Sequence, residues 1–148
     1  MRIIIQRVKQ ASCFIDNKLY SSINQGYLLL VSFTHDDDYQ TIDKLTNKLL
    51  KLRIFEDNNN QTNLPFDIDK HEILSISQFT LYANVKNGNR PSFSDSLNAK
   101  DAKVYYNYFN KYLLDKKIKV KTGLFKEYMN INLTNDGPFT IILDSKEV

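Results

Sequence analysis

Gly26-Tyr27-Leu28-Leu29-Leu30-Val31-Ser32-Phe33 is a glycine break followed by an apolar run of strand length, and it reads as a β-strand. Toward the N-terminus, Ile3 to Val8 reads as a buried strand. Ala11 to Ser22 reads as a hairpin turning at Asp16-Asn17, because Asp and Asn tolerate left-handed backbone. The first quarter of the chain is therefore expected to be sheet. Toward the C-terminus, Ile42, Leu45, Leu49 and Leu52 recur every three or four residues, the mark of one apolar helix face. Asp36-Asp37-Asp38 stands where a helix N-terminus favours negative charge, with Lys44, Lys48 and Lys51 facing outward.

Beyond this helix, Arg53 to Phe55 reads as a strand leading into Glu56-Asp57-Asn58-Asn59-Asn60-Gln61-Thr62-Asn63. That segment resembles a calcium loop but lacks the central glycine and closing glutamate, so it reads as a polar surface loop. Glu72 to Phe79 returns to strand, and Tyr82 to Asn98 is a long connection carrying Lys86-Asn87-Gly88-Asn89-Arg90-Pro91-Ser92-Phe93; irregular connections of this length tend to be functional or mobile. Val104, Tyr105, Tyr108, Tyr112 and Leu113 predict a second helix from Asp101 to about Lys116, its tyrosines packed into the core. Strands are predicted at Lys119 to Thr122 and Tyr128 to Leu133, then an Asn-Asp-Gly-Pro turn and a closing strand from Phe139 to Leu143. The predicted fold is α/β in content, of the α+β type. It is a single domain over residues 1–148, with a curved, mostly antiparallel or mixed β-sheet or barrel and two main helices packed on it.

A chain of 148 residues is long enough to bury about 70% of its unfolded surface. The lone Cys13 has no disulfide partner and no metal-ligand neighbour, which favours a reducing compartment. The N-terminus meets charge at Arg2 and lacks a signal peptide's apolar region, and no run reaches the roughly 18 apolar residues of a membrane span. A cytoplasmic protein without a membrane partner is expected. The formal charge of +3 permits nucleic-acid binding without requiring it.

A serine or cysteine triad needs a base, usually histidine. Only His35 and His71 are present, and each reads as a surface or capping residue. No metal site and no cofactor is expected. Ser77-Gln78-Phe79-Thr80-Leu81 is different: Ile73, Leu74 and Ile76 anchor a strand whose end carries two hydroxyls and a carboxamide. Such a strand end either satisfies its own backbone groups or rims a binding cleft. Gly137-Pro138 is either an ordinary Asp-Gly-Pro hairpin turn or, if its bond is cis, a main-chain clamp against a ligand's α-amino group.

Together these stretches resemble the D-aminoacyl-tRNA deacylases, also called D-tyrosyl-tRNA deacylases. The likeness runs nearly end to end: Ile5-Gln6-Arg7-Val8 with Ala11-Ser12, Arg53-Ile54-Phe55, Ser77 to Leu81, Asn89-Arg90-Pro91-Ser92-Phe93, Thr122-Gly123-Leu124-Phe125 with Met129, and Asn135-Asp136-Gly137-Pro138. The resemblance implies an enzyme that hydrolyses the ester joining a D-amino acid to the 3′ end of tRNA, and that removes glycine mischarged on alanine tRNA. It implies a homodimer in which the Gly-cisPro pair of one subunit enters the active site of the other.

Carried onto this chain, the resemblance makes Gly137 and Pro138 the element that rejects L-amino acids, with Arg7 holding it. Ser77, Gln78, Phe79 and Thr80 line the acyl site, where amides near Phe79 and Thr80 form an oxyanion hole. Thr80 is the candidate nucleophile in this type of site, but with no adjacent base it reads as a positioning group instead, and the terminal ribose 2′-hydroxyl assists water. Phe93, Phe125 and Met129 shape the adenosine pocket, and Lys86 and Arg90 meet phosphate. One departure stands out. Where the family commonly carries glycine or alanine after Phe125, this chain has Lys126 and then Glu127, whose side chains either narrow that pocket or turn outward. Two alternatives remain: a related deacylase with a trans Gly-Pro bond and relaxed chirality, and a noncatalytic RNA-binding dimer on the same scaffold.

Overall fold

The computed structural model describes residues 1–86 and 88–148; Asn87, inside the predicted long connection, lies outside them. The elements run β1 (Arg2–Ile15), β2 (Lys18–Ile23), β3 (Gly26–Ser32), α1 (Tyr39–Lys51), β4 (Phe55–Glu56), β5 (Thr62–Leu64), β6 (Glu72–Ser77), a 3-10 helix (Phe79–Tyr82), α2 (Ala99–Asp115), β7 (Lys119–Thr122) and β8 (Asn130–Asp144). The main sheet is ordered β2-β1-β3-β6-β7, with β8 on β1. β1 runs antiparallel to β2, β3 and β8, whereas β3-β6 and β6-β7 are parallel. The sheet curls into a nearly closed mixed barrel, and Ser21 Oγ donates to the Thr122 carbonyl at 2.9 Å, tying β2 to β7.

The β1-β2 hairpin turns as expected at Asp16 and Asn17, with φ of 49° and 61°, the double left-handed geometry that suits a tight hairpin. The crossovers from β3 to β6 and from β6 to β7 carry α1 and α2, which pack into one core on the same face of the sheet. There Ile3, Ile5, Tyr27, Leu29 and Ile73 meet Ile42, Leu45, Leu49, Phe109 and Leu113 in the main core. A smaller core of Val8, Ala11, Cys13, Ile23, Leu28, Leu74 and Ile76 fills the other face. β1 serves both because Val8 pairs with Asn135 but Gln10 with Thr134, so Lys9 is bulged out. One extra residue flips the side-chain alternation, sending Ala11 and Cys13 to the face opposite Ile3 and Ile5.

Five expectations are corrected, the last of them at His71. The Asn-Asp-Gly-Pro segment is not a hairpin turn. Both flanks belong to the continuous β8 and pair along the same partner: Asn135 stands opposite Val8 and Thr140 opposite Gln6, so residues 136–139 loop out over Arg7. The buried face of α2 is Tyr106, Phe109, Asn110 and Leu113, of which the predicted stripe held only Leu113. Tyr105 and Tyr108 pack half-buried at the edge of that core, where Tyr105 meets Phe33, both meet Tyr39 at the start of α1, and the Tyr108 hydroxyl donates to Asp43 at 2.9 Å. Only Asp38 of the acidic triplet caps α1; Asp37 is buried, where its carboxylate accepts the Met1 amino group and the Thr34 N–H. The predicted strand at Arg53 contracts to β4, whose polar loop folds around Asp57 and pairs back through β5.

His71 is not a surface residue. Its ring stacks on Phe55 at 3.6 Å and meets Phe66 edge-on, while Nδ1 accepts the Asp67 N–H at 3.0 Å. Burial holds its pKa below the ordinary histidine value, against the opposing charge of Asp67 and with the help of Lys70. The folded state therefore binds fewer protons than the unfolded chain. The resulting stability is present above about pH 6.5 and is lost as pH falls below it. Urea midpoints are expected to drop between pH 7 and pH 5, above the range where carboxylates titrate. His71→Gln, less stable overall, is expected to flatten that window; an equal slope in the variant would assign the effect elsewhere. Among the described residues, no helix is long and apolar enough to cross a membrane.

Candidate active site

β6 ends at Ser77 beside the end of β3, where the Gln78 N–H donates to the Val31 carbonyl at 2.8 Å. The chain then coils into the 3-10 helix, whose leading N–H groups, on Phe79 and Thr80, have no partner within the helix. Above these strand ends lies an apolar pocket of about 770 Å³. Ligand clefts in parallel sheets form at the C-terminal strand ends. Ser77, Gln78, Phe79, Thr80, Phe93, Phe125 and Met129 all line it, so seven of the residues singled out in the sequence converge there. Phe79 and Phe93 meet edge-on at 4.9 Å, and Phe125 packs against Tyr106 at 5.8 Å. Gln78 Nε2 donates to the Thr80 hydroxyl.

A Cβ on Gly123 would lie 2.5 Å from Met129 Sδ and 2.8 Å from Ile76 Cδ1. Met129 thus packs over the bare glycine backbone. Lys126 and Glu127 both line the pocket and are both exposed, at its rim, and Lys126 adopts φ of 72°. That left-handed backbone is where glycine costs least and where any side chain, lysine included, carries a penalty. Sequence reading missed the wall formed by the start of α2, where Asn98, Ala99 and Ala102 join the pocket. A capping residue followed by two alanines one turn apart was the available signal: small side chains leave room beside a helix N-terminus.

Arg7, Gly137 and Pro138 form a second cluster away from this pocket. Arg7 is buried, and its Nη1 donates to the Ile54 carbonyl at 2.7 Å and its Nε to the Asp136 carbonyl at 3.1 Å. It also pairs with Asp136 Oδ2 at 3.3 Å and Glu56 at 3.4 Å, with the Phe139 ring 5.0 Å from its guanidinium. The Gly137-Pro138 bond is cis, not the trans form of the alternative reading, and both residues are exposed. Lys86 lines a separate polar cleft of about 540 Å³ with Arg2, His35 and Lys146. Arg90 is exposed and lines neither cavity. Among the described residues, no cluster of three or more His, Cys, Asp or Glu could hold a metal ion.

Residues 4–144 match the family model described as D-Tyr-tRNA(Tyr) deacylase. Proteins named D-aminoacyl-tRNA deacylase align nearly end to end. One from Lactobacillus gasseri is 46% identical over 97% of this chain and 99% of its own length. One from Staphylococcus aureus is 47% identical over 99% and 97%. The chain belongs to the D-aminoacyl-tRNA deacylase family, a family of hydrolases. Among solved structures, one titled "c-Myc DNA Unwinding Element Binding Protein" superposes with a TM-score of 0.91 at 33% identity, over 97% of this chain and 98% of that one. A probable eukaryotic D-amino acid tRNA deacylase superposes at 0.78 with 19% identity, over 96% and 97%, and shares the fold.

Proposed function

We propose that this protein hydrolyses the ester of D-aminoacyl-tRNA, and of glycine mischarged on alanine tRNA, releasing the amino acid and free tRNA. The observation that carries this reading is the convergence of Ser77 to Thr80 with Phe93, Phe125 and Met129 on one apolar pocket, in a chain of this family. Phe93, Phe125 and Met129 hold the terminal adenosine, since aromatic and thioether surfaces suit a base face. The ester carbonyl faces the leading amides of the 3-10 helix, which stabilise the oxyanion as water attacks. The ribose 2′-hydroxyl assists that water. Lys86 and Arg90 meet phosphate, so affinity falls with salt.

The working enzyme is a homodimer. Ile131 lines the pocket, and β8 advances about 13 Å from there to Asn135 before the loop begins. The Gly137-Pro138 tip thus stands apart from its own pocket and serves a second copy's, where it excludes an L side chain and leaves room for a D side chain or none. Purified protein is expected to deacylate D-Tyr-tRNA and to spare L-Tyr-tRNA; equal rates on both would falsify the reading. The name of the DNA-binding neighbour favours a second reading, nucleic-acid binding without turnover, which predicts retention of D-Tyr-tRNA on the protein with the ester intact.

Thr80 positions the substrate in this scheme, because its hydroxyl accepts from Gln78 and no base adjoins it. Thr80→Ala is expected to keep at least about a tenth of wild-type kcat/KM, the scale of one lost hydrogen bond. A loss of about 10³-fold or more in single-turnover deacylation would make Thr80 the nucleophile instead.

A further inference from the structure

The loop that leaves β8 has no ladder to hold it, since residues 136–139 stand opposite Arg7 alone. Side chains hold its two ends. At the first, Arg7 Nε donates to the Asp136 carbonyl at 3.1 Å. At the last, the Phe139 N–H donates to Asn135 Oδ1 at 2.6 Å, and Asn135 Nδ2 donates to Thr140 Oγ1 at 3.1 Å. Asn135 thereby closes the base of the loop from within the loop's own strand, as asparagine side chains do in local turns. The interior is tight as well: a Cβ on Gly137 would lie 3.1 Å from the Phe139 nitrogen and 3.3 Å from Arg7 Nη2. Gly137 and Pro138 are left exposed at the tip, with both approaches pinned.

We propose that Asn135 is a positioning residue for stereochemical discrimination, fixing the Phe139 amide so that the Gly137-Pro138 tip keeps one position. The inference rests on the reading that this tip is the handedness filter. A filter that works by exclusion must be held within about 0.5 Å, so a loosened loop admits L substrates before it loses D turnover. Asn135 touches neither substrate nor reacting atoms; it acts through the loop. Its chemistry separates two variants. Asn135→Ala removes the acceptor of the Phe139 N–H, whereas Asn135→Asp keeps an oxygen at that position.

Two measurements are made on the full-length chain. The first is the ratio of kcat/KM for D-Tyr-tRNA over L-Tyr-tRNA. The second is hydrogen exchange at the Phe139 amide. Asn135→Ala is expected to lower the ratio by about tenfold or more, mainly by raising L turnover, and to lose Phe139 protection. Asn135→Asp is expected to retain both. A folded Asn135→Ala protein with wild-type ratio and wild-type Phe139 protection overturns the proposal. If wild type itself shows no D preference, the functional reading fails, and Phe139 protection alone decides whether Asn135 braces the loop. Should Asn135→Ala not fold, Asn135→Ser, whose hydroxyl is too short to span the base, takes its place under the same criteria.

Discussion

Arg7→Ala is expected to lose about 3–5 kcal/mol of stability and most of its discrimination between D- and L-aminoacyl esters. The side chain is 3% exposed. Removing it strips the buried Ile54 carbonyl and the half-buried Asp136 carbonyl of their guanidinium donors at once, and a fully buried acceptor left unpaired costs about 1–3 kcal/mol. The contact with Glu56 adds little, because that carboxylate is 54% exposed and such pairs are screened by water. The guanidinium also packs against Phe139, so its loss removes the floor beneath the loop. A chain of this length loses about 2–4 °C of Tm per kcal/mol, and the melting point should fall by roughly 10 °C. A merely structural role would lower D and L turnover together through the unfolded fraction. Positioning predicts that the D-to-L ratio collapses even at a temperature where the variant is fully folded. Arg7→Lys restores a charge but not the fan of planar donors, and its ratio should fall between the two. A folded Arg7→Ala protein with an unchanged ratio would detach Arg7 from the filter.

The parts of this fold that were legible in the sequence are those in which a local period agrees with what the element buries. The apolar run of β3 and the Ile42-Leu45-Leu49 stripe of α1 lie as read. The Asp16-Asn17 turn also stands where its residues put it, because left-handed backbone selects those residue types. Legibility failed where the deciding partner is distant. Asn135 to Pro138 carries hairpin chemistry, yet what shapes it is its pairing with β1 on both sides, some 130 residues away in sequence, and no local pattern announces an interrupted strand. On α2 two adjacent stripes compete. Tyr105 and Tyr108 only edge the core at the α1 contact, where the Tyr108 hydroxyl reaches the Asp43 carboxylate, while Tyr106 is sunk in the core with its hydroxyl on the Ser75 carbonyl and its pKa pushed up to about 12 by burial. An amphipathic ring does not declare which environment it occupies. The pocket residues were found through motif resemblance; from periodicity alone, Ser77 to Thr80 read equally well as a strand end tidying its own backbone.

Gly26→Ala tests the joint on which the pocket's placement depends, and it is expected to abolish folding. Gly26 has φ of 156° and lies where β3 pairs with both neighbours, opposite Val8 of β1 and Glu72 of β6. A Cβ there would lie 1.9 Å from the Glu72 carbonyl oxygen and 2.7 Å from its nitrogen. Both are main-chain atoms of a central strand, so relief requires the β3-β6 pair to part at its first register. Those strands carry the Ser77 segment and the pocket floor at their far ends. Opening the start of the pair therefore shifts the site as well as costing stability. The cost is expected to exceed about 4 kcal/mol, much of the roughly 5–15 kcal/mol that holds a domain together. Gly88→Ala separates the steric effect from the conformational one. Gly88 also has a positive φ, 76°, but nothing lies within 4 Å of its added Cβ. That variant should lose only about 1 kcal/mol and stay soluble, with a cooperative urea transition, while Gly26→Ala is recovered from inclusion bodies or melts without a cooperative transition. Equal, mild destabilisation of the two variants would mean that the contact between β3 and Glu72 is looser than its geometry requires, and would remove the reason for a rigid pocket floor.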